Sequence, residues 1–557
     1  MSDFFQEAPR LASTWSLDPL LRSFLARRLP PDVSAAVAPE LERLGERAAG
    51  ELADLADAAE REPPRLVSFD PWGRRIDHLE LADAWRRLHA VAAEEGLVAE
   101  AYERRFGESS RLVQMAKVYL FHPSSAFVSC PLAMTDGAAR ILELHGSEEL
   151  KSRVLPRLTS RDPARFWTSG QWMTEREGGS DVAGSSTVAR PRRDGGFLLS
   201  GVKWFASAAS AEVALALARI DGAPAGNRGL TLFLVELEGQ IGRTVRILRL
   251  KDKLGTRALP TAELELAGVP AIQIGEAGRG VATIATLLTL TRLHNSACAA
   301  ASLARGLELA RDYAARRSAF GHPLAELPLH AETLAALAAE QAAALALVVE
   351  CAALVGRDEL GSADADERAR LRLLVPLTKL LTGRQAVAGA AETLEAIGGA
   401  AYMEDTGLPR LARDAQVLAI WEGTTNVLAL DALRAIARAD ALPPLLADVD
   451  RRLAGVARPE LAAGRSRLAR RRRALARWFA RAAAGPRPAL EAGARAFALA
   501  LARLVAAVLL AEQADWELGR GAAPTLDAAL RASAEEPFGD DPGRADELSP
   551  QRISSTV

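Results

Sequence analysis

The stretch "MTEREGGSDVAG", Met173 to Gly184, decides how the rest of the chain is read. Gly178 and Gly179 let the backbone turn and come close to a ligand, while Thr174 and Ser180 set hydroxyls beside exposed amides. Such a loop suits an anionic pyrophosphate or the hydrogen-bonding edge of a heterocycle. A plain turn capped by Ser180 or Asp181 has the same composition, so the stretch alone leaves both readings open.

Around this loop the texture changes twice. From about 35 to 160, Ala, Leu, Arg and Glu dominate, with helical spacing in "LADAWRRLHAVAAEEG". Pro63-Pro64 and "FDPWGRR", Phe69 to Arg75, read there as loops. Between about 166 and 275, "GFLLSGVKWFAS", "EVALALARI", "LTLFLVEL", "VRILRL" and "TAELELAG" are short runs bounded by Gly, Asn and Pro, the pattern of a small sheet or barrel. Helical texture returns from about 281 to 440, and Pro443-Pro444 marks a joint into a further Arg-rich helical segment.

The bulk properties narrow the class. A chain of 557 residues is too long for one core and suggests about three or four domains. Hydrophobic residues make up 49% and charged residues 25%, the balance of a globular protein, and the net charge of −2 gives no overall attraction to nucleic acid. Cys130, Cys298 and Cys351 lack disulfide or metal spacing, which fits a reducing cytoplasm. The seven histidines show no metal-ligand spacing either. The start, "MSDFFQEAPR", does not read as a secretory signal. The apolar run Phe497 to Leu510 is short and carries Arg503, so it reads as a packed helix and not as a membrane span.

With the second half of the chain in view, the loop gains a partner. Met173, Thr174, Glu175, Gly178, Gly179, Ser180 and Asp181 stand in register with the first signature of the acyl-CoA dehydrogenase family of flavoproteins, which this chain resembles. Trp172 departs from it, where the family usually has a small residue. "EAIGGAAYMEDTGLPRLARD" places Glu395, Gly398, Gly399, Asp405, Arg410 and Asp414 at the spacing of the second signature, with Ala401 replacing a glycine. The resemblance spans roughly residues 60 to 440. It implies an α+β, mainly α fold: an N-terminal helical domain (1–165), a middle β-barrel (166–280) and a helical bundle (281–440). An additional C-terminal helical domain (441–540) and a tail (541–557) that reads as disordered would follow.

The resemblance also implies roles. FAD would be the cofactor, held by Met173, Thr174, Gly179, Ser180, Phe205, Ser207, Glu395 and Gly399, with Thr424 and Asn426 near its diphosphate. In a homotetramer, Arg317 and Phe320 of "RRSAFG" would reach a neighbouring subunit's FAD. "AIWEGTTNVLAL" would carry the catalytic base, Glu422. The chemistry asks for such a group: oxidising an acyl-CoA thioester across Cα–Cβ requires removal of an α-proton, which a carboxylate in an apolar site can accept. Trp421, Ile420, Val427 and Leu428 are the expected apolar walls, and Gly423 the tight turn. An electron-transfer flavoprotein is the expected acceptor.

Within the family, the stretches "RLKDKLGTRALPTAELEL" and "IWEGTTNVLALDALRA" and the extra C-terminal length look most like the AidB branch. That branch brings an alternative: a DNA-associated flavoprotein of the alkylation response with vestigial dehydrogenase activity. Arg470, Arg473, Arg477 and Arg481 would form one stripe on a helix, suited to phosphates, although nearby Glu535, Glu536, Asp540 and Asp541 dilute the field. A third reading is a different flavin chemistry on this fold, such as nitroalkane oxidation; Glu422 in place of an aspartate favours the dehydrogenase.

Overall fold

The computed structural model describes residues 7–193 and 195–535, so the tail expected to be disordered lies outside the described residues. The main elements begin with helices α1 (Pro19–Arg28), α2 (Pro31–Ala49) and α3 (Glu51–Arg61). Strands β1 (Arg65–Phe69) and β2 (Arg75–Glu80) follow, then helices α4 (Asp83–Glu94), α5 (Ser110–Phe121) and α6 (Ser129–His145). The strand region holds β3 (Ser169–Trp172), β4 (Val188–Pro191), β5 (Phe197–Ser207), β6 (Val213–Ile220), β7 (Leu230–Glu236), β8 (Val245–Leu250) and β9 (Thr261–Ile274). Helix α7 (Gly280–Arg316) leads to the two-residue strands β10 (Ser318–Ala319) and β11 (His322–Pro323). Helices α8 (Pro328–Glu359), α9 (Ala365–Ile397), α10 (Pro409–Leu418) and α11 (Thr425–Ala439) come next. The last four are α12 (Leu442–Gly455), α13 (Ala462–Ala484), α14 (Arg487–Leu518) and α15 (Leu526–Ala534).

These elements form two compact units: one from Arg47–Arg105 and Phe121–His294, the other from the residues up to Glu46, Phe106–Leu120 and the chain from Asn295 on. In the first, seven strands make one sheet. β4 joins β5 and β6, β5 joins β9, β9 joins β7, and β7 returns to β6, so five strands close into a ring, with β3 on β6 and β8 on β9. Closure removes the exposed edges that an open sheet would carry.

The near-continuous apolar runs of β6 and β7 follow from their being buried on both faces. Ala214, Ala216, Ala218, Phe233 and Val235 join the barrel interior with Leu199, Ile247 and Leu264. Their neighbours Val213, Leu215, Leu217, Leu232 and Leu234 face the other way, onto Ala138, Leu142 and Leu287 of the covering helices.

The β1–β2 hairpin lies in a region expected to be helices and loops. Its registry pairs Arg65 with Glu80, and Asp70 caps the turn by accepting from the amides of Trp72 and Arg74 at 3.0 and 2.9 Å. Neither strand alternates cleanly, because its order comes from the barrel. Leu66 and Leu79 pack on the barrel core, Arg75 donates to the Ile247 carbonyl at 2.8 Å, and Asp77 accepts from the Ile247 amide at 2.9 Å.

The other unit is helical. α8 packs on α9 and α14, and α9 also on α10 and α11. α8 and α14 are long and apolar enough to cross a membrane, yet 78% and 72% of their apolar stretches are buried inside the protein, as in core helices. The run Phe497 to Leu510 is part of α14, most of it buried.

Charge locks this unit together. Arg452 of α12 donates to Asp448 at 2.7 Å, to Glu512 of α14 at 2.5 Å and to Glu350 of α8 at 2.6 Å. Arg28 of α1 also pairs with Glu350, Arg27 with Glu512 at 2.9 Å, and Arg370 of α9 with Asp448 at 2.8 Å. Removing the hub would leave buried carboxylates short of a partner. Arg452→Met is therefore expected to lower the unfolding free energy by about 3–5 kcal/mol, read from the midpoint of a urea titration.

Candidate functional site

The glycine-rich loop leaves β3 and turns back on itself within four residues. Glu175 and Gly178 exchange two backbone hydrogen bonds of 3.2 Å, and Asp181 caps the short turn after it by accepting from the Ala183 amide at 3.1 Å. The loop is thus a capped turn that leaves Gly179 and Ser180 exposed. The Thr174 carbonyl accepts from the Trp204 amide at 2.9 Å, tying the loop to β5. Met173 is half-buried against the apolar layer under the barrel.

Beneath the loop Glu175 is buried. It accepts from Lys203 Nζ at 2.6 Å, from Thr187 Oγ1 at 2.6 Å, from the Ser186 amide at 2.6 Å and hydroxyl at 2.9 Å, and from the Ser185 hydroxyl. Burial pushes its pKa up, but Lys203 and the hydroxyls outweigh burial and hold it at about 2. On β5 the register with β9 shifts between Lys203 and Ala206, a bulge at Trp204 and Phe205. Lys203 points in, Phe205 is half-buried, and Ser207 is buried with its hydroxyl 3.3 Å from that of Thr261.

In the helical unit, α10 ends at Leu418 and the chain turns at Glu422, whose φ is 56°, and Gly423, whose φ is 108°. Glu422 and Trp421 are half-buried. A side chain at Gly423 would meet Leu428 at 3.2 Å and Val427 at 3.5 Å, so these two apolar residues pack close to the turn. Ile420 does not join them: it is 58% exposed, because the turn after Val417 points it outward. Lys379 of α9, itself buried, donates to the Gly423 carbonyl at 2.6 Å.

Thr424 is the N-cap of α11, but its side chain makes no capping bond. Asn426, two residues on, is exposed and accepts at 3.3 Å from Arg495 of α14. One apolar cluster, containing Leu309, Tyr313, Leu324, Leu394, Ile397 and Ala401, gathers the end of α7 and the end of α9. It brings the β10–β11 hairpin with Arg317 and Phe320 to the same part of the unit as exposed Glu395 and Gly399. Phe320 has a φ of 53° and is 93% exposed.

The predicted residues therefore gather in three sets, one in the barrel unit and two in the helical unit, the second of which is the group of Arg317, Phe320, Glu395 and Gly399. Met173, Thr174, Gly179, Ser180, Phe205 and Ser207 share the loop and β5, while Glu422, Thr424 and Asn426 share the start of α11. Lys203, Lys379 and Arg495 had not been singled out. A lone lysine inside an apolar run, as in "LSGVKWFAS" and "LVPLTKLLTG", was the available signal for the first two, since an interior lysine needs a built partner.

The whole described chain matches one family. Residues 170–269 match the acyl-CoA dehydrogenase middle domain and 278–437 its C-terminal domain. Residues 8–163 match the adaptive response protein AidB N-terminal domain, and 440–537 an acyl-CoA dehydrogenase 11 C-terminal domain-like region. The chain belongs to the acyl-CoA dehydrogenase family and is an FAD-dependent oxidoreductase.

Among its relatives, acyl-CoA dehydrogenase family member 11 of Caenorhabditis elegans is 46% identical over 442 residues, 77% of this chain and 72% of that protein. The putative acyl-CoA dehydrogenase AidB of Escherichia coli is 31% identical over 418 residues, 73% of this chain and 75% of that protein. The crystal structure of Caenorhabditis elegans ACDH-11 in complex with C11-CoA superposes with a TM-score of 0.95 at 39% identity, covering 100% of this chain and 96% of that one.

The residues present fit the cofactor. The Thr424 hydroxyl is not spent on its own helix, and the first-turn amides of α11 favour an anion such as a diphosphate. Beside Gly398 and Gly399 nothing lies within 4 Å of where a Cβ would stand, which leaves their backbone open to a ligand.

Glu175 gives the barrel half a pH signature. Its folded pKa of about 2 lies below the ordinary 4.5, so the stability it contributes is complete above about pH 4.5 and is lost as pH falls towards 2. Glu175→Gln is expected to be less stable than the natural protein at pH 7, with the difference shrinking over that acid window. Denaturant titrations at stepped pH measure it.

Proposed function

We propose that the chain oxidises an acyl-CoA thioester across Cα–Cβ, with Glu422 as the base that takes the α-proton. The observation that carries this reading is the turn before α11, where Glu422 is half-buried in a left-handed conformation uncommon for a non-glycine residue. The chemistry of the relative solved with C11-CoA supports the substrate class.

FAD, when bound, supplies the two-electron acceptor. Met173, Thr174, Gly179, Ser180 and Ser207 would offer amides and hydroxyls to the edge of its ring system, and Phe205 an aromatic neighbour. Thr424, Asn426 and the first turn of α11 would hold the diphosphate, with Glu395 and Gly399 contributing from the end of α9. Leu428 and Val427 keep water from one side of the Glu422 turn. Phe320, Tyr402 and Leu329, 93%, 84% and 81% exposed, are large apolar side chains in the helical unit that assembly would cover. That favours a homotetramer in which Arg317 and Phe320 reach a second copy's FAD. Reoxidation falls to an electron-transfer flavoprotein.

Anaerobic addition of a straight-chain acyl-CoA is expected to bleach the visible flavin band. Glu422→Gln should abolish the bleaching while FAD stays bound; a flavin that bleaches normally in that variant removes Glu422 as the base.

One observation favours a second reading, DNA association. Arg470, Arg473, Arg477 and Arg481 are all exposed along α13, and Arg471 on the same helix turns inward to the Ala532 carbonyl at 2.7 Å. A stripe of this kind suits phosphate contacts without sequence preference. Replacing Arg470, Arg473 and Arg477 with Gln is expected to reduce the slope of log affinity for duplex DNA against log salt by about three. An unchanged slope excludes α13 as the contact.

A further inference from the structure

Lys379 is 1% exposed on α9, and its ammonium donates to the main-chain carbonyl of Gly423. Burying a lysine is costly, and the position does not favour it on helix grounds. Gly423 directly precedes the N-cap of α11, where the helix dipole repels a cation. Stabilising α11 is therefore not what the ammonium does there.

What lies next to that carbonyl is the conformation of Glu422. The left-handed region costs a non-glycine residue about 1 kcal/mol or more, so the surroundings must impose it. Helix α9 and the middle of α7 supply that constraint from the same unit. Asn295 Nδ2 donates to the Leu418 carbonyl at 3.0 Å. Gly383, one turn beyond Lys379, lets that carbonyl settle against α9: a Cβ at 383 would stand 2.5 Å from the Leu418 oxygen. Leu418 is thus anchored before the turn, and Lys379 anchors Gly423 after it.

We propose that Lys379 is a positioning residue for Glu422: by gripping the Gly423 carbonyl it holds the 422–423 turn left-handed and fixes the direction of the carboxylate. This rests on the reading of Glu422 as the α-proton base. Lys379 touches neither substrate nor cofactor in this account; it acts through the backbone. An arginine keeps a cationic donor of different shape, while a methionine keeps the length and removes the donor.

The test uses FAD-loaded protein and two readouts. In Lys379→Met, amide hydrogen exchange in the peptide spanning 419–428 is expected to rise about tenfold, with the rest of α9 unchanged. Anaerobic bleaching by saturating acyl-CoA should slow about 10–100-fold at unchanged FAD occupancy and acyl-CoA affinity, and Lys379→Arg should recover part of both. If Lys379→Met does not fold, Lys379→Gln, which loses the charge and full reach, is read the same way. A variant that exchanges and bleaches like the natural protein overturns the proposal and leaves the base reading standing. Bleaching that survives Glu422→Gln overturns the base reading itself, and the proposal with it.

Discussion

The carboxylate of Glu175 is the point on which the glycine-rich end of the barrel depends. It lies under a loop that has little regular structure of its own, and it gathers three consecutive residues, Ser185 to Thr187, through their hydroxyls and amides. Lys203 reaches it from β5 and also donates to the Leu217 carbonyl at 2.8 Å, so one ion pair joins the loop to two barrel strands. The glycines above can stay exposed and open because the floor beneath them is tied down by these bonds. A loop of Gly, Ser and Thr without such a floor would lose its shape to conformational entropy.

The helical unit uses the same device at another scale. Lys203 and Lys379 are both buried, and both donate to main-chain carbonyls, Leu217 and Gly423. A lysine can do this where a shorter donor cannot, because its four-carbon stem fills apolar space while its head supplies the bond.

These devices mark the limit of what the linear chain discloses. The strands β5 to β9 were legible because their apolar runs and their Gly and Asn boundaries are local properties. The glycine-rich loop and the segment at Glu422 were legible because each is a contiguous motif. The β1–β2 hairpin was not, since Leu66, Arg75 and Asp77 take their order from β8 and the barrel core, far along the chain. Ile420 was misplaced for a related reason: its apolar character suggested a wall, but the turn geometry sends it outward. Lys379 and Gly423 lie 44 residues apart, and nothing in either short stretch names the other.

The knot at Arg452 bears on how this branch of the family could have arisen. Its carboxylates come from α8, α12 and α14 and its further arginines from α1 and α9, so the C-terminal helices share their counter-ions with the helices before them. A segment joined this way is not a cassette. Grafted onto a shorter relative, it would bring Arg452 and Glu512 to a surface with no reason to hold Arg28 or Glu350. Loss of the segment would strand those same charges. The extra helices and the core that receives them are thus electrostatically interdependent, and a change in either alters the charge balance of both.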